Sequence, residues 1–145
     1  MNKILLIIIG LNITLFADFS RSANGVVTDS NTNLEWQDNY LNKEIAILDW
    51  TEAINYCEIL SLEGGGWRLP NISELNSIVD SVEATSLDQI FQKHGDHGYW
   101  SSTSAYYANT DLDYKYAWTI RFTSNIKYES SAKYFSNHAR CVRIK

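Results

Sequence analysis

The segment Gly64–Asp80, GGGWRLPNISELNSIVD, combines three local structural signals. Three consecutive glycines predict a turn whose backbone takes conformations that other residues rarely adopt. Pro70 predicts that the residue before it is extended, since a following proline disfavours the α region. Asn71 and Glu74 have the spacing of a capping box, in which each side chain bonds the backbone N–H of the other residue. We therefore expect a glycine turn, an extended residue and a helix over about 71–82.

Glycine-rich turns before helices often bind phosphate, which makes the same segment a candidate phosphate site. Such a loop needs GxGxxG after a strand, or GxxxxGK[ST]. Gly64-Gly65-Gly66-Trp67 matches neither pattern, and no lysine follows it. We interpret the glycines as a turn that lets Trp67 pack into the core.

A second amphipathic helix precedes this segment. Asp49 and Glu52 form another capping box at its start. Five residues then share one helical face, Trp50, Ala53, Ile54, Cys57 and Leu60. The side chain of Cys57 is therefore expected to point into the core.

Short alternating runs predict strands. The runs on either side of DSNTN at 29–33 predict one hairpin, and YAWTIRF at 116–122 with residues 126–129 predicts another. One face of the strand at 116–122 is predicted to carry Trp118, Ile120 and Phe122. The last residues, ARCVRIK at 139–145, predict a strand that joins a central sheet. Two helices and several short antiparallel strands indicate an α+β fold.

The first residues have the layout of a secretory signal peptide. Lys3 precedes an apolar run from Ile4 to Phe16, and the small residue Ala17 offers a cleavage point. The run is shorter than the roughly 20 apolar residues that a membrane-spanning helix needs. We predict a signal peptide over 1–17, one domain over 18–145 and no membrane span after cleavage. An uncleaved membrane anchor is the alternative.

The chain has two cysteines, Cys57 and Cys141. In an oxidising compartment an even pair usually forms a disulfide, and we favour that state. Two free thiols, one of them reactive, are the alternative.

Charge is unevenly distributed along the chain. Residues 18–114 hold 16 Asp/Glu and 4 Lys/Arg, whereas residues 115–145 hold 7 Lys/Arg and a single Glu. An acidic protein does not fit general nucleic-acid binding, which favours a strongly basic domain. The basic final quarter leaves room for a local polyanion site.

Several motifs, taken in order, resemble the DUF1566 family, which includes the C-terminal domain of the Legionella collagen-like adhesin. They are DSNTNLEWQDN, DWTEAINYC, GGGWRLPNISELNSIVD, YWSSTSAYY, YAWTIRF and ARCVRIK. The resemblance implies a fold similar to C-type lectins and formylglycine-generating enzymes, in which a disulfide ties the first helix to the last strand. Carried onto this chain, that disulfide joins Cys57 to Cys141. The adhesin member of that family is associated with glycosaminoglycan binding.

Metal sites have weak support in the sequence. His94, Asp96 and His97 offer two imidazoles and a carboxylate, but zinc needs a further firm ligand, and a solvated loop is favoured. Asp111 and Asp113 are too few for calcium, which takes six to eight oxygen ligands. The calcium-binding motifs of sugar-binding C-type lectins are absent from the sequence. We predict no cofactor.

Catalytic patterns are equally weak. A formylglycine-generating enzyme needs reactive cysteines, which a disulfide would remove. No GxSxG motif surrounds Ser101 or Ser102, the two serines that His138 would have to activate. We predict no catalytic residues. An enzyme of the formylglycine-generating type, or a metal-dependent one, remains the alternative.

Aromatic and basic residues supply the binding hypothesis. Five tyrosines and Trp100 cluster between residues 99 and 116, and rings with polar tips suit sugar faces or protein anchors. The predicted ligand-binding residues are Tyr106, Tyr107, Tyr114, Arg121, Lys127 and Arg140. Ordinary solvated strand faces are the alternative for the basic residues.

These observations favour an exported, non-catalytic binding domain at the cell envelope. Its expected ligand is a glycan, in the sharper version an anionic one, or a protein partner. A structural envelope module that acts through a partner is a further alternative.

Overall fold

A computed structural model describes residues 19–40, 45–79, 87–92, 97–106, 115–123 and 126–145. The predicted signal peptide at 1–17 lies outside the described residues. So do six of the candidate metal and ligand residues, His94, Asp96, Tyr107, Asp111, Asp113 and Tyr114.

The described residues form an α+β structure with two sheets. The helices are α1 (Trp50–Glu58) and α2 (Ile72–Ser77), with a 3-10 turn at Leu62–Gly64. The strands are β1 (Phe19–Arg21), β2 (Val26–Asp29), β3 (Leu34–Gln37), β4 (Ile47–Leu48), β5 (Tyr99–Ser104), β6 (Tyr116–Arg121), β7 (Lys127–Ala132), β8 (Asn137–His138) and β9 (Val142–Ile144).

The sheet order is β1-β2-β3-β9 in the first sheet and β4-β8-β5-β6-β7 in the second. Both predicted hairpins, β2–β3 and β6–β7, are confirmed. The predicted last strand is present as β9, which pairs with β3 at the end of the first sheet. Beyond β9 lies an isolated bridge from Arg68 to Val142. The expectation of antiparallel pairing fails at one place, where β5 and β8 are parallel.

Helix α1 begins as predicted. The Asp49 carboxylate accepts from the Glu52 N–H at 2.9 Å, and the Glu52 carboxylate accepts from the Asp49 N–H at 3.0 Å. Cys57 is fully buried on the inner face of the helix and forms a disulfide with Cys141. The bond joins residues 84 positions apart, so it ties α1 to the segment that enters β9.

Helix α2 has the predicted start and an earlier end. The Asn71 and Glu74 side chains form the capping box, with both hydrogen bonds at 2.8 Å. The helix stops at Ser77 rather than near residue 82. Ile78 is the C-cap, and Val79 then forms a bridge with Leu87, which draws the chain away from the helix axis.

The glycine turn leads Trp67 into the core, as predicted. Its three glycines have φ angles of 100°, 82° and 78°, in the left-handed region that favours glycine. Trp67 follows, buried, and its indole N–H donates to the Leu62 carbonyl at 2.8 Å. The Arg143 guanidinium lies 4.5 Å from the Trp67 ring and donates to the carbonyls of Leu62, Glu63 and Gly65 at 2.8–3.2 Å. Arg143, from the last strand, therefore stabilises the conformation of the glycine turn.

Two core clusters involve alternate residues of β5 and β6. Tyr99 and Ile120 belong to the cluster that includes Leu75 and Ile78 from α2 and its C-cap. Trp100 and Ala117 belong to the cluster that includes Ala53 and Cys57 of α1. Both faces of this sheet are therefore covered.

Candidate ligand-binding surface

The predicted ligand residues that the structure describes do not come together. Tyr106 follows β5 at one end of the second sheet, and its side chain is 78% exposed. Arg121 and Lys127 are cross-strand partners at the other end of the β6–β7 hairpin. Six-residue strands separate the two ends by roughly 17 Å at about 3.3 Å per residue. One small ligand cannot contact both groups.

Arg121 is already engaged within the protein. Its guanidinium pairs with the Glu129 carboxylate at 3.0 Å, and both side chains are partly exposed. Lys127 is exposed beside this pair. This end of the sheet therefore carries less net positive charge than its lysine and arginine alone suggest.

Arg140 corrects the sequence prediction. Its side chain is fully buried and forms an ion pair with the equally buried Asp38. The guanidinium carbon lies 5.2–5.4 Å from the ring centroids of Tyr40, Phe91 and Tyr99, at cation–π distance. Arg140 is a core residue and not a surface contact for a ligand.

A surface that combines lysines and aromatic rings lies at the Tyr106 end of the hairpin. Lys115 precedes β6 and Lys133 follows β7, and the Lys133 N–H donates to the Lys115 carbonyl at 2.8 Å. These lysines line an open cavity of about 310 Å³ together with Asp49, Thr51 and Tyr134. We call the residues Tyr106, Lys115, Lys133, Tyr134 and Phe135 the basic aromatic surface.

Lys133 is held in place at the base of this surface. Its ammonium lies 3.8 Å from the centroid of the Trp50 ring and donates to the Ser104 hydroxyl at 3.0 Å. The indole N–H of Trp50 in turn donates to the Ser101 carbonyl at 2.9 Å. Burial lowers the pKa of Lys133. The lysine is therefore positioned in advance, which reduces the entropy lost when it meets a ligand.

Tyr134 and Phe135 form the aromatic part, and the sequence prediction missed them. Their side chains are 75% and 55% exposed, with ring centroids 4.7 Å apart. Both lie in the turn between β7 and β8, where the Phe135 N–H bonds to the Ala132 carbonyl at 2.9 Å. The available signal was two adjacent aromatic residues between polar ones in KYFSN. It was overlooked because tyrosines are denser between residues 99 and 116.

The comparisons with known proteins agree with this architecture. A family model described as the Lcl C-terminal domain matches residues 25–143. The chain belongs to the Lcl C-terminal domain family. The resemblance to the C-terminal domain of the collagen-like adhesin is thereby confirmed. No curated protein matches the chain significantly.

A solved structure similar to this Lcl C-terminal domain is that of EMS16, described as an antagonist of the collagen receptor integrin alpha2beta1. The two chains are 17% identical with a TM-score of 0.50, and the match covers 83% of this chain and 98% of EMS16. The similarity supports a C-type-lectin-like fold. No helix in the described part of the chain is long and apolar enough to cross a membrane.

Several of the candidate metal and catalytic residues of the Lcl C-terminal domain lie within the described ranges. Within those ranges no three His, Cys, Asp or Glu side chains are grouped closely enough to hold a metal ion. His97 is exposed, and its ring contacts that of the buried His138 at 5.4 Å. The disulfide engages both cysteines. The buried Ser101 hydroxyl donates to the Trp118 carbonyl at 2.8 Å.

Proposed function

We propose that residues 18–145, after removal of a signal peptide at 1–17, form a non-catalytic binding domain at the cell envelope. The domain recognises an anionic glycan through the basic aromatic surface. Membership of the Lcl C-terminal domain family and the disulfide, which suits an oxidising compartment, support this proposal.

The exposed Tyr134–Phe135 pair beside two lysines carries the proposal. Aromatic faces provide apolar contact area for the C–H face of a sugar ring. Lys115 and Lys133 provide charge-assisted hydrogen bonds to a carboxylate or sulfate. The Asp49 carboxylate on the same cavity wall can accept hydrogen bonds from sugar hydroxyls.

A protein partner is the second candidate for the same surface. EMS16, which has the same type of fold, is an antagonist of a protein receptor. Exposed Tyr and Phe side chains also serve as interface anchors, with aromatic residues enriched at binding hot spots. If the ligand is a protein, the same rings contact it, and Lys115→Glu weakens binding less than it would weaken binding of an anionic glycan.

Retention on heparin resin in a salt gradient tests the proposal. We expect the full chain to bind at low salt and to elute as salt screens the charges. Lys115→Glu, or the double change Tyr134→Ser and Phe135→Ser, should shift elution to lower salt. Lys127→Glu is the matched control, because it makes the same charge change at the other end of the hairpin. If Lys115→Glu and Lys127→Glu lowered the salt concentration at elution equally, retention would depend only on overall charge, and the proposal would be contradicted.

A further inference from the structure

The start of α1 places a carboxylate in the cavity of the basic aromatic surface. The backbone N–H of Trp50 donates to the Lys133 carbonyl at 3.0 Å, which joins the first residue of the helix to the residue that follows β7. Asp49, the N-cap of the helix, therefore lies beside the segment that carries this lysine. The cavity, of about 310 Å³, is lined by Asp49, Thr51, Lys115, Lys133 and Tyr134.

Asp49 and Lys133 line the same cavity, and each has its own partners. The Lys133 ammonium lies 3.8 Å from the centroid of the Trp50 ring and donates to the Ser104 hydroxyl at 3.0 Å. Among the described residues, no ion pair joins it to Asp49. The Asp49 Oδ1 atom accepts from the Glu52 N–H at 2.9 Å, and within the same ranges Oδ2 accepts no hydrogen bond. One carboxylate oxygen is therefore available to a ligand in the cavity.

The cavity consequently offers two kinds of contact to a glycan. The ammonium groups of Lys115 and Lys133 can form charge-assisted hydrogen bonds with a carboxylate or a sulfate. The Asp49 carboxylate can accept hydrogen bonds from uncharged hydroxyls, whereas a second anion placed against it is repelled. A ligand that satisfies both conditions has one anionic group at the lysines and free hydroxyls at Asp49.

We propose that Asp49 makes this surface specific for anionic glycans in which charged and uncharged sugar units alternate. The uronic acid carboxylate of one unit binds the lysines, and hydroxyls of the adjacent uncharged unit donate to Asp49. Sulfate on that adjacent unit is disfavoured because it meets the Asp49 carboxylate. The inference rests on the proposed function and adds to it the charge pattern of the ligand.

Two hexasaccharides with the same sugar backbone are the probes. One is derived from heparin, and the other is the same material after its sulfates are removed and its amino groups are acetylated. Isothermal titration calorimetry of the full chain at one fixed salt concentration measures both affinities. Asp49→Asn removes the charge and keeps an N-cap acceptor, so the helix start is retained. We expect about fivefold tighter binding of the sulfated probe, the scale of one exposed charge pair, and no gain for the desulfated probe.

Glu52→Gln is the matched control for Asp49→Asn. It removes the same charge from the same turn of α1, and Gln can still accept from the N-cap backbone N–H. Glu52 is exposed and does not line the cavity. The ratio of the two affinities should therefore stay at its original value in this variant. Thermal melts check that both variants are folded.

Thr51→Asp tests the same inference in the opposite direction. Thr51 is exposed and lines the cavity, and an acidic residue in the first turn of a helix interacts favourably with the helix dipole. The variant should weaken binding of the sulfated probe about fivefold more than binding of the desulfated probe. Asn55→Asp adds the same charge at an exposed position of α1 outside the cavity and should leave the ratio unchanged. This second pair decides the matter if Asp49→Asn does not fold.

Two results would overturn the inference. The first is a ratio of affinities that neither Asp49→Asn nor Thr51→Asp changes. The second is an equal change in each variant and its control, since selectivity would then follow overall charge alone. If the unmodified protein binds both hexasaccharides and either result is found, this inference fails and the proposed function stands. If it binds neither probe, the proposed function fails and this inference fails with it.

Discussion

Arg140 and Asp38 form an ion pair in which both side chains are completely excluded from solvent. Asp38 also pairs with Arg21 of β1 and accepts from the Gln92 N–H at 3.0 Å. Arg140 in turn donates to the Gln92 carbonyl at 2.9 Å. One buried carboxylate thus joins β1, the end of β3, the segment at 87–92 and the approach to β9.

Replacing Asp38 should therefore destabilise the fold strongly. Asp38→Asn leaves the Arg140 cation buried without a countercharge, and removal of one partner of a buried pair costs about 3–5 kcal/mol. Urea unfolding measures the change. Glu129→Gln is the control, because its partner Arg121 is partly exposed and such pairs contribute about 0–1 kcal/mol. Similar losses in the two variants would show that Arg140 does not depend on Asp38.

Removing the disulfide should lower stability by a comparable amount. The bond closes a loop between residues 84 positions apart, for which the chain-entropy model gives roughly 4–5 kcal/mol. The measurement is unfolding of the double variant Cys57→Ala and Cys141→Ala in urea, beside the unmodified protein with and without reductant. Reduced protein and the double variant should have similar midpoints. A double variant as stable as the oxidised protein would show that the disulfide does not stabilise the fold.

Two glycines should differ in their tolerance of a side chain. Gly64 has a φ of 100° with no atom near an added Cβ, so Gly64→Ala should cost only the backbone penalty of roughly 1–2 kcal/mol for a side chain at positive φ. At Gly25 the φ is 81° and an added Cβ would lie 2.6 Å from the Asn39 Cα. Gly25→Ala should therefore cost clearly more. Thermal unfolding of both variants checks the order, and equal costs would mean that the clash at Asn39 relaxes.

The Glu74 carboxylate should contribute stability that depends on pH. Its hydrogen bonds from Arg68 lower the pKa of Glu74 below its usual range. For a carboxyl group with a lowered pKa in the fold, the contribution is full above the unfolded value of about 4.3 and is lost as pH falls through the folded value. The stability difference from Glu74→Gln should shrink between neutral pH and about pH 3. A difference that stays constant with pH would contradict this role.

The fold was predictable wherever short-range signals decide it. The capping boxes at Asp49 and Asn71 were readable from residues three apart, and the glycine turn and both hairpins were equally local. The burial of Arg140 was not, because its partner Asp38 is distant in sequence and only the fold brings the two together. For the same reason the sequence did not show that Tyr106 and Arg121 lie at opposite ends of the hairpin. Trp50, predicted only as part of a helix face, supports Lys133 across the sheet.

The most direct test of the central claim is an NMR titration of the ¹⁵N-labelled protein with a heparin-derived oligosaccharide. We expect the largest amide shift changes at Tyr106, Lys115, Tyr134 and Phe135, with small changes at Lys127. The same titration of Lys115→Glu should show those changes only at much higher ligand concentration. Shift changes centred on Arg121 and Lys127, or none at the basic aromatic surface, would contradict the account.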